Sequence, residues 1–136
     1  MADVEFIDNS IQVKQAMDDI IKGWLYEAAG EIQSQAARNT HVDSGQTKGS
    51  WEYMVDEKNS VAYVGSSYDN AIWEEFGTGI YALNGDGRTD VPWKYKDVKG
   101  NWHSTKGKKP RRMLWKSFTS VKGKAKQALA AALKEI

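Results

Sequence analysis

The amino-acid sequence predicts an α+β fold, a single domain in which an antiparallel β-sheet is packed by a long N-terminal helix and a C-terminal helix. Three observations carry that expectation. Apolar residues recur every three or four positions from Ser10 to Asn39 and again after Pro110, the period of one helix face. Between these stretches the period drops to two, as in a half-buried strand. With 136 residues, the chain suits one domain that buries roughly two-thirds of the surface its unfolded form exposes.

In the first helical stretch Val13, Met17, Ile20, Trp24, Ala28, Ile32 and Ala36 form the stripe. Asp8, Asn9 and Ser10 offer oxygens to its first amides, and Asn39 with Thr40 supplies a stop. Unbroken, this helix would run about 45 Å at ~1.5 Å per residue, so bends are expected at Gly23 and Gly30. His41 to Ser50 is rich in Gly, Ser, Thr and Asp without a period, and reads as a loop. Trp51, Tyr53 and Val55 then alternate with Glu52, Met54 and Asp56, and a polar turn at Glu57 to Asn59 leads to Val61 to Val64. Together they predict an antiparallel hairpin over 51–56 and 60–65. Tyr68, Ile72 and Phe76 stand four apart, which predicts a short helix capped by Ser66 or Ser67 and ended by Gly77 at positive φ.

From 79 to 109 the chain holds five of its twelve glycines and reads as a long basic loop. Within it Val91, Trp93 and Tyr95 alternate with polar residues, and the turn-like Lys99-Gly100-Asn101 precedes Trp102, which predicts a projecting hairpin. Structureless connections rarely exceed ~12 to 15 residues, so this segment is expected to be mobile in the isolated chain and ordered against a neighbour. Pro110 suits the first turn of the last helix. There Leu114, Phe118, Val121, Ala125, Ala128, Leu129, Ala132 and Ile136 share one arc, while Lys116, Lys122, Lys124, Lys126 and Lys134 lie off it. Trp115 and Phe118 are expected in the core.

Cysteine is absent, which removes disulfides and thiolate metal sites. The first eleven residues carry Asp3, Glu5 and Asp8 where a signal peptide needs positive charge, and no run approaches the ~20 apolar residues of a membrane span. The expectation is a soluble protein made in a cytoplasm, with no membrane partner. The net charge of +1 conceals a division: residues 1–93 hold 6 Lys/Arg against 16 Asp/Glu, and residues 94–136 hold 13 against 2. Such polarity points to nucleic acid or to oriented self-association.

Chemistry-bearing clusters are few. His41, Asp43 and Ser44 have the residue types of a hydrolytic triad, but three residues in one loop seldom reach triad geometry, and they read as a turn and cap. Asp86 to Asp90 lacks the carboxylate series of a calcium loop. Gly77-Thr78-Gly79 is too short for a phosphate loop, and Glu74-Glu75 point apart on a helix. Two histidines without cysteine leave no transition-metal spacing. The expectation is no catalytic residue, no metal and no cofactor. The cationic run from Lys94 to Lys126, interleaved with Tyr95, Trp102, Trp115 and Phe118, has the types that neutralise phosphates and stack on bases.

Three blocks in order carry a resemblance. They are Val42-Asp43-Ser44-Gly45 with Lys48 and Ser50-Trp51; Val64-Gly65, Tyr68, Ala71 and Glu75-Phe76-Gly77-Thr78; and the proline-led Pro110 to Trp115. Together they resemble the tail-completion family typified by the tenth gene product of phage Hong Kong 97, over nearly the whole chain. The Glu-Phe-Gly-Thr block is the most specific. Thr47 stands where that family usually has Leu, and Asp69-Asn70 separates Tyr68 from Ala71, which the family commonly joins. The resemblance implies an α+β protein with a curved antiparallel sheet flanked by helices, similar to tail terminators that form rings at the head-tail junction of the virion. It implies no catalysis. The expected partners are copies of the chain itself, connector or tail-tube proteins, and passing DNA. The residues expected at such contacts are Glu75, Phe76, Gly77, Thr78, Trp93, Tyr95, Trp102, Arg111 and Arg112. A nucleic-acid-binding protein using the basic C-terminal third is the second reading, and a hydrolase the third.

Overall fold

The structure is a computed structural model that describes residues 7–40 and 45–136. Helix α1 spans Ser10–Asn39, a four-residue turn α2 covers Gly45–Lys48, and strands β1 (Trp51–Asp56) and β2 (Val61–Ser66) follow. Then come α3 (Asp69–Phe76), a single 3₁₀ turn at Gly79–Tyr81, strands β3 (Trp93–Lys96) and β4 (Trp102–Thr105), and α4 (Met113–Leu133). The α+β expectation holds, with two small antiparallel sheets, β1-β2 and β3-β4, in place of one. The first hairpin pairs Trp51 with Ser66 and Asp56 with Val61, one residue beyond the predicted second strand.

Because strand side chains alternate, Trp51 and Val55 face α1 with Ala62 and Val64, while Met54 and Tyr63 point outward. The small residues on α1 let its partners come close. Ala36 is fully buried in a cluster with Trp51, Ala71 and Met113, and Ala37, Tyr68 and Leu114 pack around it. Helices α1 and α4 run antiparallel: the Trp24 indole donates to the Ala125 carbonyl at 2.6 Å, and Asn39 Nδ2 donates to Ser117 Oγ at 2.9 Å. At the end of α1, Thr40 Oγ1 donates to the Ala36 carbonyl and accepts from the Trp51 indole at 2.9 Å, so the stop also anchors the first strand.

Several local expectations are corrected. Of the predicted stripe on α1, Ala36 is fully buried and Ile20, Trp24, Ala28 and Ile32 are half-buried, while the other buried residues, Leu25 and Ala29, lie one position round from it and Val13 and Met17 stay exposed. The cause is length. Strands of six residues span roughly 20 Å and a 30-residue helix about 45 Å, so the first turns of α1 overhang the sheet. Neither Gly23 nor Gly30 breaks the helix; Gly30 faces the Tyr53 ring. On α3 the buried residues are Ala71, Glu74 and Glu75, whereas Ile72 and Phe76 are exposed. Pro110 precedes α4 by three residues instead of opening it, and Arg112 stands before the helix in the left-handed region with φ 57°. Residues 45–48 form a helical turn where a loop was expected, and His41 to Ser44 lie outside the described residues.

Trp115 and Phe118 are not in the core. They keep 52% and 41% of their surface, because α4 turns Met113 and Ser117 inward and these aromatics sideways.

Candidate functional site

The Glu-Phe-Gly-Thr block closes α3 and starts everything that follows. Glu75 is buried, and its carboxylate accepts from the Leu114 amide at 2.8 Å and the Trp115 amide at 3.1 Å. Those amides open α4 and have no partner inside their own helix, so Glu75 serves as a cap supplied from another element, with a charge suited to the positive helix end. Arg112 Nε lies 3.6 Å from the same carboxylate. Its guanidinium carbon stands 5.6 Å from the Phe76 ring and 5.4 Å from the Trp115 ring, while Nη1 is buried without an acceptor among the described residues. Glu75, Phe76 and Arg112 are thus brought together.

Gly77 and Thr78 build a neck. Gly77 has φ 78°, the positive value expected of it, and an added Cβ would sit 2.9 Å from the Lys108 carbonyl, the Tyr81 carbonyl and the Pro110 ring. The Thr78 amide donates to Lys108 O at 2.9 Å, the Ile80 amide to Lys106 O at 3.2 Å, and the Arg111 amide to Glu74 O at 2.7 Å. The Thr78 hydroxyl accepts from the Lys108 amide at 2.9 Å. Gly79 and Gly107 face each other across this ladder so closely that a Cβ on either would collide with the opposing backbone. The two ends of the 79–109 segment are therefore fastened to each other, and Leu83 and Arg111 tie the base to the carbonyls of Phe76 and Glu74 in α3, which its glycine content alone did not reveal.

Beyond the neck, β3 and β4 pair from Trp93–Thr105 to Lys96–Trp102. This realises the predicted hairpin. One face carries Trp93, Tyr95, His103 and Thr105, with the Tyr95 and His103 rings stacked at 5.2 Å; the other carries Lys94, Lys96, Trp102 and Ser104. Trp93 sits beside α3 in a hollow shared with Ile72, Trp73 and Phe76, under the Arg88 guanidinium at 5.0 Å. Tyr95 and Trp102 are carried away from that contact and are exposed, Trp102 by 68% with Lys96 Nζ above its ring. At the tip, Asp97 accepts from His103 Nε2 at 2.7 Å and from the Lys99 and Asn101 amides. The His103 hydrogen bond, then the amides, hold its carboxyl below the ordinary aspartate range.

A feature absent from the sequence reading is an apolar groove between β2 and α4. Its floor is Trp24, Leu25, Ala28, Ala29 and Ile32 of α1; Ala62 and Val64 form one wall, and Leu114, Trp115 and Phe118 the other. Phe76, Glu75 and Arg112 also line it. The only sequence signal was two aromatics three apart just after Arg111-Arg112. Among the described residues no group of three His, Asp or Glu side chains could hold a metal ion, and no helix is long and apolar enough to cross a membrane. The carboxylate of Asp90 in the former calcium-loop candidate pairs with Arg88 at 2.8 Å.

Residues 5–77 match a family described as "Bacteriophage HK97-gp10, putative tail-component". The match ends on Gly77, so the neck, the β3-β4 hairpin and α4 lie beyond it. No curated protein and no solved structure matches the chain.

Proposed function

Because the chain belongs to the HK97-gp10-like family of phage tail components, we propose that it is a non-catalytic virion assembly protein at the head-tail junction, where copies of it close into a ring against connector or tail-tube proteins. The observation that carries this reading is the apolar surface the single chain leaves in water. Ile11, Met54, Tyr63, Trp73, Trp102 and Trp115 each keep more than half of their area exposed, and the groove beside β2 is lined almost throughout by apolar side chains. A continuous apolar groove of this kind is typical of association surfaces. A contact between two different faces, repeated by rotation, closes into a ring, and the acidic first part meeting the basic last part would orient each copy.

Native mass spectrometry of the chain, with and without purified tail-tube or connector protein, tests it. A closed oligomer in either sample supports the ring, and a monomer in both rejects it.

One observation favours a second role. The exposed Trp102 ring lies under the Lys96 ammonium at 5.8 Å, a combination that stacks on bases and contacts phosphates. Contact with DNA passing through the ring would follow. Affinity of the monomer for DNA that falls steeply with salt would favour the nucleic-acid reading over the ring.

A further inference from the structure

We propose that the β3-β4 hairpin of one copy completes the β1-β2 sheet of the next copy, pairing along the free edge of β2 and closing the groove under α4. The inference rests on the ring reading and names the surfaces that would form it.

The first ground is width. Neighbouring strands lie about 4.8 Å apart and packed helices about 8 to 10 Å, so two strands cover roughly one helix. The β1-β2 pair lies under α1, and α4 stands beside α1, meeting the sheet's core at Met113 but leaving Trp115 and Phe118 across the groove from Ala62 and Val64. The groove is the uncovered strip, and its wall is β2, whose outer edge pairs with no other strand among the described residues. An unpaired edge beside an apolar floor is a template for an added strand. Two more strands would cover α4.

The second ground is the fit of the occupant. The hairpin supplies two strands, and the glycine neck holds it beside α3, with its Trp93 in the hollow of Ile72, Trp73 and Phe76 and none of its strand residues lining the groove. Its lysine-free face, with Tyr95 stacked on His103, suits the apolar groove. Its other face then continues the outer face of the β1-β2 sheet and brings Trp102 beside the exposed Tyr63. The charges agree. Residues 51–76, which form the sheet and α3, carry six carboxylates against one lysine, and the hairpin carries Lys94, Lys96 and Lys99 against Asp97.

The chain has no cysteine, so thiols can be placed singly. Full-length Val61→Cys and Lys94→Cys chains, both at exposed positions, would be mixed with a short bis-maleimide under the conditions in which native mass spectrometry finds the oligomer. A crosslink joining the two different chains is expected, and adding Tyr95→Ala to the Lys94→Cys chain should cut its yield about tenfold, as loss of a central aromatic anchor does. An oligomer that gives no such crosslink, or one whose yield ignores Tyr95→Ala, overturns the hairpin contact and leaves the ring standing. A monomer under every condition overturns the ring, and the hairpin contact with it.

Discussion

Glu75 caps a helix that begins 38 residues later, with its Oε2 lying 2.8 Å from the Leu114 amide. The cap ties α3 to α4 across the whole neck and hairpin. Glu75→Ala would strand two partly buried amides and the Arg112 guanidinium at once. A charged hydrogen bond contributes about 1.5 to 3 kcal/mol and an N-cap about 1, so a loss of roughly 2 to 4 kcal/mol is expected in urea unfolding. A loss below ~0.5 kcal/mol, the size of an ordinary surface change, would show that the cap is not needed.

Glycines on this chain should respond in opposite directions. Gly79→Ala puts a Cβ into the Lys106 carbonyl at φ 61° and should lower the melting temperature and open the neck. Gly23→Ala meets nothing within 4 Å in the middle of α1 and should stabilise by about 0.5 to 1 kcal/mol. Parallel thermal melts decide it; equal shifts of the same sign would contradict the neck geometry.

The two departures from the family pattern touch each other. Asn70 Nδ2 donates to the fully buried Thr47 Oγ1 at 3.2 Å. Thr47→Leu alone should destabilise by about 1 to 3 kcal/mol, since it removes a buried acceptor and adds volume. Thr47→Leu with Asn70→Ala should recover part of that. A double-mutant cycle with zero coupling would mean that the contact carries no energy.

Acid should loosen the hairpin tip before the body. Asp97 is held below the ordinary aspartate range by His103 and two amides, so it binds its proton less readily folded than unfolded. Its contribution is complete above the unfolded value and is lost as pH falls through the folded one, a window below about pH 4. Amide exchange at Lys99 and Asn101 should quicken there and show no Asp97-linked change between pH 5 and 8. Asp97→Asn should remove the acid step.

Replacing residues 94–104 with a short Gly-Ser turn should leave circular dichroism and melting nearly unchanged, because the neck and its bonds to α3 are kept, yet abolish joining of tails to heads. Deleting all of 79–109 is a different experiment. It removes the Ile80–Lys106 ladder and the Leu83 amide bond to Phe76 O, so the start of α4 should suffer too. Normal joining by the shorter variant would place the contact surface elsewhere.

The sequence by itself determined the order of the three longer helices and the two hairpins, the helical and strand periods, the register of the first hairpin to within one residue and the positive φ of Gly77. These follow from local rules: side-chain period, turn chemistry and the conformational range of glycine. Tertiary structure decided which face of each helix is buried. Leu25 and Ala29 are buried more deeply than Trp24, Ala28 and Ile32 because α1 packs against both the sheet and α4, and the latter three face the open groove between them, which no period within one helix records. It also turned Glu75 into a cap for Leu114, paired Thr47 with Asn70, and placed Trp115 and Phe118 along an open groove. Each of these depends on residues far apart in the chain arriving at one place, which only the packed backbone can arrange.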